Sequence, residues 1–409
     1  MKILYINHYA GSKKMGMEFR PYYLSKIWTK IGHKVTIVGS SFSHLRVQQP
    51  VVNFPISSDV IDGINFLWIK CYRYAGNGYG RLVNISQFLF GLFYYRKQIL
   101  DKSRPDVIIA SSTYPMDIWA AKYLARISKA RLVFELHDVW PQSLTEIAGL
   151  SRFHPMVIIA GLAEKTVYNS ADTIISMLPG IHSHCKEFGF NTANLTIVPN
   201  GIVIEDWSID ELNFFPEEIL NSISEARAKD HLIVCYAGAH GEPNALENLI
   251  NAAEILKNKP ISFILVGDGN IKIDLEKLVE SKCLNNIAMF KGISKNLIPK
   301  LLHMVDIGFI GAKDRPIYKH GISPNKIADY MMAQLPIICA INSGNNPVKE
   351  AKCGIIVSPE DPEELASAIT YIDSIGIDKR RLLGKMGKDF VIKNYAYEAL
   401  AKKFLTALK

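Results

Sequence analysis

Short runs of branched and aromatic residues alternate along the chain with longer stretches whose apolar positions recur every three or four residues. That alternation predicts parallel sheets joined by crossover helices. In the first half, strands are expected at Lys2–Ile6, Lys34–Val38, Ile64–Ile69, Asp106–Ala110, Arg131–Glu135, Thr173–Ser176 and Leu195–Val198. A well-marked helix follows the first of them. Leu24, Ile27, Trp28 and Ile31 share one face, Pro21 suits the first turn, and Gly32 suits the stop. A polar, acidic stretch around Ile209–Lys229 precedes a second series, at His231–Ala237, Ile261–Val266, Asn286–Phe290, Asp306–Ile310, Pro336–Ala340 and Gly354–Val357. Arg381–Lys409 reads as one or two closing helices. Each series opens on a strand, a glycine-bearing loop and a helix, so the expectation is two doubly wound α/β domains facing across a central cleft.

Composition narrows this little. The 409 residues suit two domains, and 48% hydrophobic with 21% charged residues is ordinary for a folded α/β chain. The six cysteines are scattered without a CxxC pair, which fits reduced thiols in a cytosol better than a disulfide framework or a zinc site. The apolar run in MKILYINHY is too short for a secretory leader and reads as the first strand. No uncharged apolar stretch approaches the ~20 residues of a spanning helix. Charge changes the picture more. Residues 1–200 carry 22 basic and 12 acidic side chains, whereas residues 201–409 carry 25 and 27. The basic half therefore has an anionic partner: nucleic acid, an acidic lipid surface or a phosphorylated substrate.

Ligands of open parallel sheets bind beyond the carboxyl ends of the strands, so candidate chemistry is sought there. The first such loop runs from His8 to Gly16, and Gly11 and Gly16 would let a ligand approach the backbone, or simply make a βα turn. His137 and Asp138 follow the Arg131–Glu135 strand directly, with Trp140-Pro141 behind them. Val198-Pro-Asn-Gly201 reads locally as a turn. In the second series, Gly238-Ala-His-Gly241 could hold a diphosphate on bare amides, and Val266-Gly-Asp-Gly269 repeats the strand-then-glycine arrangement. In His320–Pro336, Ser323 and Pro324 suit a helix cap and first turn. Lys326 then lies where the helix dipole disfavours a cation, unless an anion shares the terminus. Asp329, one turn on, would complete a grip on a nucleotide, with the cation on phosphate and the carboxylate on ribose.

Gly32-His-Lys-Val-Thr-Ile-Val, Val-Pro-Asn-Gly, Val-Gly-Asp-Gly and Ser323–Pro336 stand in the order seen in glycosyltransferase family 4, which the chain resembles over nearly its whole length. Gly16-Met-Glu-Phe-Arg20, His-Asp-Val-Trp-Pro and Ser-Pro-Asn-Lys are most similar to bacterial N-acetyl-L-fucosamine transferases of O-antigen and capsule assembly. The resemblance implies the GT-B fold and a retaining, metal-independent glycosyltransferase. An acceptor domain would span residues 1–205, a donor domain residues 206–389, and a terminal helix at about 390–409 would pack back on the first. The co-substrate would be a UDP-sugar, with no cofactor, and the acceptor a polyprenyl-diphosphate-linked glycan. The donor would be bound by Gly11, Gly238, Ala239, His240, Gly241, Gly267, Ser323, Pro324, Asn325, Lys326 and Asp329. His137 and Lys326 would be catalytic, and Gly16, Glu18, Arg20 and Asp138 would lie on the acceptor side. Three departures stand out. Of the family's paired glutamates the first is Gly321 and the second Asp329, its Arg and Lys after the first strand are missing from Gly-Ala-His-Gly-Glu-Pro, and Gln334 replaces the usual glycine before Leu-Pro.

Two other readings remain open on sequence: a nucleotide-sugar 2-epimerase of the same fold, and a nucleic-acid-binding or interaction protein using the basic half. Lys70–Pro105 adds a further expectation. It holds seven basic residues against one acidic, with eight Tyr or Phe, around the uncharged run Leu82–Tyr95. It reads as a buried helix with a basic end, or as a helix lying in an anionic membrane surface. The second reading makes the protein peripheral on the inner face of the cytoplasmic membrane.

Overall fold

A computed structural model describes residues 1–16, 19–76, 78–207, 214–323 and 325–408, with the side chain of Phe19 left aside. The chain forms two compact units, Met1–Asn200 with Tyr397–Lys409, and Gly201–Ala396.

The first unit is built on an eight-stranded sheet. Its strands are β1 (Lys2–Ile6), β2 (Lys34–Ser40), β3 (Ile56–Ile61), β4 (Ile64–Ile69), β5 (Val107–Ala110), β6 (Arg131–Leu136), β7 (Thr173–Ser176) and β8 (Leu195–Ile197). The order is β3-β4-β2-β1-β5-β6-β7-β8, with Ile6 facing Val38 on one side and Ala110 on the other. All neighbours are parallel except β3 and β4. β3 was not anticipated, because its side chains are half-buried or exposed and show no apolar alternation. It forms a hairpin through Asp62-Gly63, whose φ angles of +52° and +79° suit the turn that Asp-Gly favours. The first helix, Phe19–Lys30, buries Leu24 and Trp28 and stops before Gly32 at φ +92°. Trp28 donates its indole hydrogen to the Ala401 carbonyl at 3.1 Å and meets Phe404 edge to face. The returning helix Tyr397–Ala407 thus closes this unit's core.

The second unit has six strands, all parallel: β9 (Leu232–Ala237), β10 (Ile261–Val266), β11 (Ile287–Phe290), β12 (Ile307–Gly311), β13 (Ile337–Ala340) and β14 (Gly354–Ile356). Their order is β11-β10-β9-β12-β13-β14. Both faces are covered, which is why these strands read as continuous apolar runs. The Gly376–Tyr395 helix, including residues 390–395 that were expected to return to the first unit, packs here through Val391.

The order of strand addition reverses between β1 and β5 in one sheet and between β9 and β12 in the other. Loops leaving adjacent strands in opposite directions open a crevice at such a point, so topology alone directs attention to those four loops.

Candidate active site

In the second unit, the loop after β9 does not leave the sheet at once. The Gly238 amide donates to the Val266 carbonyl and the His240 amide to the Asp268 carbonyl, both at 2.9 Å, so the ladder with β10 continues beyond the strands. Ladder alternation then frees every second amide. Among the described residues, the Ala239 and Gly241 amides have no partner. Of the four amides expected to face a diphosphate, these two are available and the other two are committed. Val-Gly-Asp-Gly is the floor of this arrangement. A Cβ on Gly267 would lie 1.8 Å from the Gly238 carbonyl oxygen, and one on Gly269 would lie 2.1 Å from that of His240. Gly267 is buried, so its role is close packing of the loops rather than ligand contact, a correction to the expectation. His240 is likewise buried, with neither ring nitrogen hydrogen-bonded, and burial holds its pKa down to about 4.

Lys326 crosses over this loop. A Cβ on Gly238 would fall 2.1 Å from its Cε, so the glycine is the space the lysine occupies. The ammonium sits 3.1 Å from Asn244 Oδ1 and over the Tyr236 ring at 5.1 Å. Desolvation lowers its pKa to about 8, with Asp329 opposing. Ser323 is half-buried and Asn325 exposed at the start of the Asn325–Met332 helix, while Pro324 lies outside the described residues. Asp329 is buried on that helix and ion-paired with Lys295. Burial raises its pKa, and Lys295 and Lys326 pull it back. Lys295 was not anticipated, because it is 34 residues away with no fixed spacing to signal it. Gly321, where the resemblance implies a glutamate, has φ +101° and ψ 165°, a conformation closed to most side chains.

In the first unit, the loop after β1 is tied to that after β5. Asn7 Nδ2 donates to the Ser111 carbonyl at 2.6 Å, and the His8 amide to Ser112 Oγ at 3.2 Å. The His8 ring lies between Asn84 Oδ1 at 2.5 Å and the Tyr114 hydroxyl at 2.8 Å, stacked on Phe88, and burial lowers its pKa to about 3. Gly11 is buried, Arg46 Nε holds the Ala10 carbonyl at 2.8 Å, and Gly16 turns at φ +68°. Below the β6 terminus, Glu135 accepts hydrogen bonds from Tyr5, from Ser111 Oγ at 2.6 Å and from Arg20 Nε at 2.8 Å. Arg20 also donates to the carbonyls of Val198 and Pro199. It is buried and spends its guanidinium on these groups, so it clamps the Val-Pro-Asn-Gly turn to β6 instead of facing an acceptor. His137 stands at the edge of this network, Nε2 2.9 Å from Ser111 Oγ and 3.7 Å from Glu135. Asp138, beside it, is exposed, and Glu18 lies outside the described residues.

Glycosyl transferase 4-like domain matches residues 16–201, and Glycosyl transferases group 1 matches residues 231–372. The chain is a GT-B glycosyltransferase. The putative colanic acid biosynthesis glycosyl transferase WcaI of Escherichia coli K12 is 26% identical over 240 residues, a match spanning 57% of each chain. The probable glycosyltransferase WbjE of Pseudomonas aeruginosa is 21% identical across all of this chain and 98% of its own. Anabaena HepE, solved in complex with UDP, superposes with a TM-score of 0.67 at 15% identity, over 100% of this chain and 99% of that one. This last likeness concerns the fold. For the glycosyltransferase, the first-unit residues supply a rigid strand-end platform under His137. The second-unit residues supply a cation, two free amides and a carboxylate within one loop and one helical turn.

Proposed function

We propose that the second unit binds a UDP-sugar, and that its glycosyl group passes with retention to an acceptor hydroxyl served by the first unit. The observation that carries this reading is Lys326 laid over Gly238 beside Asn244, one turn from Asp329. A cation there meets the diphosphate, the Ala239 and Gly241 amides add donors, and Asp329 takes the ribose hydroxyls. Asn244 and Lys326 converge on one point from different elements. The α-helical lysine thereby replaces the basic residues missing after β9. On this reading the leaving charge is stabilised by Lys326 and the two amides. The acceptor oxygen bonds to the anomeric carbon on the face from which the diphosphate departs. The C–O bond to phosphate breaks, and the departing phosphate oxygen takes the hydroxyl proton.

HepE is solved with UDP and with UDP-glucose, which supports a nucleotide-sugar donor, and WcaI is described in colanic acid biosynthesis, which supports a role in polysaccharide assembly. An N-acetylated deoxy-hexosamine donor rests on the sequence resemblance alone. No observation favours the epimerase or the nucleic-acid reading. A thermal-shift screen of UDP-, GDP- and TDP-sugars tests the proposal: UDP-sugars are expected to stabilise the protein most, and a preference for another base overturns it.

The acceptor is proposed to be a polyprenyl-diphosphate-linked glycan reached at an anionic membrane. No helix of the described residues is long and apolar enough to cross one. The Tyr79–Tyr94 helix buries Asn84, Ile85, Phe88, Gly91 and Leu92 and exposes Leu82, Phe90, Phe93 and Tyr94. Helix Asp117–Ser128 packs beside it and Pro155–Ser170 beside that in turn, exposing Tyr123, Ile127, Ile158, Ile159 and Leu162 with Lys122, Arg126 and Lys165. The only carboxylates in these three helices, Asp117 and Glu164, are buried. Basic side chains among exposed apolar ones, with no exposed acid, match the chemistry of an anionic bilayer surface.

A further inference from the structure

We infer that Ser111 is a positioning residue which fixes His137 in the tautomer protonated on Nε2, so that His137 offers Nδ1 as a hydrogen-bond acceptor to a hydroxyl or amide N–H of the sugar and not to a phosphate. The inference follows from counting hydrogens. The Ser111 hydroxyl has one hydrogen and lies 2.6 Å from Glu135 Oε2. Glu135 is fully buried against the Arg20 guanidinium at 2.8 Å and also receives the Tyr5 hydroxyl, an environment that keeps it an anion. An anionic oxygen at 2.6 Å can only be an acceptor, so the serine hydrogen points to it.

The remaining lone pairs of Ser111 Oγ then face His137 Nε2 at 2.9 Å and Asn7 Nδ2 at 3.5 Å. Asn7 donates through its amide. Nε2 must therefore donate as well, or two lone pairs would meet inside a buried cluster, at the cost of an unsatisfied group. His137 is neutral near pH 7, because burial lowers its pKa to about 4 against the opposing pull of Glu135. A neutral ring with its hydrogen on Nε2 leaves a bare lone pair on Nδ1. Among the described residues nothing hydrogen-bonds Nδ1. His137 is half-buried, and a group that docks against Nδ1 has to bring a hydrogen there. A sugar hydroxyl or an N-acetyl N–H does so, whereas an ionised phosphate oxygen is repelled. That His137 meets the sugar rests on the function proposed above; its tautomer does not.

The test is nitrogen NMR of the whole protein carrying labelled histidine, with His137→Gln identifying the His137 signals. The expected result at neutral pH is a single neutral ring protonated on Nε2. An Nδ1-protonated or doubly protonated ring overturns the proposal. Ser111→Ala should lose the tautomer preference, and Ser111→Thr, which keeps the hydroxyl, should retain it. An alanine variant with the wild-type tautomer also overturns the role of Ser111. If the alanine variant does not fold, the wild-type and threonine spectra still decide. These readings need no donor, so a failure of the UDP-sugar assignment would leave them standing and distinguishable.

Discussion

Lys326 owes its position to a missing side chain. Gly238→Ala would place a methyl carbon on the lysine's path, and Lys326→Ala would remove the cation itself, so the two variants should weaken UDP binding alike. A Gly238→Ala protein that binds UDP as the wild type does would refute the steric argument. Lys326 also predicts a pH dependence. Its pKa of about 8 means that the free protein loses the cation between neutral and alkaline pH, so UDP affinity should fall as pH rises through 8. The decline should be absent in Lys326→Ala. Asp329→Asn should cost ~1.5–3 kcal/mol of donor binding, the range for a hydrogen bond to a charged group. Its partner Lys295 is half-exposed and can turn to solvent, so the fold should survive. Arg20→Ala should behave oppositely. It leaves Glu135 a buried, unpaired charge and should cost about 3–5 kcal/mol of stability, measurable by urea unfolding. Loss of acceptor binding without loss of stability would restore the surface role expected of Arg20. Lys326 and Asp329 were legible in the sequence because both lie on one helix at fixed spacing. Ser111, Asn244 and Lys295 were not, because each reaches its partner through the tertiary fold.

At the scale of elements, strands buried on both faces announced themselves as apolar runs, and all thirteen expected strands match within two residues of each end. β8, the last of the first half's seven, is short and half-buried at Leu195–Ile197. The edge strand β3 escaped because solvent covers it, although its Asp62-Gly63 turn was a usable signal. Glycine loops were legible as loops but not in their division of labour. Gly267 and Gly269 serve backbone packing, a fact that only the register of the extended β9–β10 ladder reveals. Gln334 shows the same logic in reverse. It closes the Asn325–Met332 helix at φ +58° with an exposed side chain, in a backbone region that glycine adopts freely. Gln334→Gly should raise stability by about 1 kcal/mol, the order of the penalty an ordinary residue meets there. Unchanged or lowered stability in thermal unfolding would show that the glutamine contributes a compensating contact.

For the whole molecule, the uneven charge was plain from the sequence, whereas the surface that carries it was not. The sequence expectation treated the run Leu82–Tyr95 as a whole, but its Phe88 is buried on His8 and belongs to the core. The exposed set spans three neighbouring helices instead of one. Co-sedimentation with vesicles of increasing anionic lipid should show binding that salt weakens and that Phe90→Ser with Phe93→Ser reduces. No binding at low salt would remove the membrane from the account. The central claim is that the second unit grips a nucleoside diphosphate through Lys326, and calorimetric titration tests it most directly. UDP should bind more tightly than uridine to the wild-type protein, and Lys326→Ala should remove most of that difference while leaving uridine affinity nearly unchanged. Equal losses for UDP and uridine, or a variant that keeps the full preference for UDP, would contradict it.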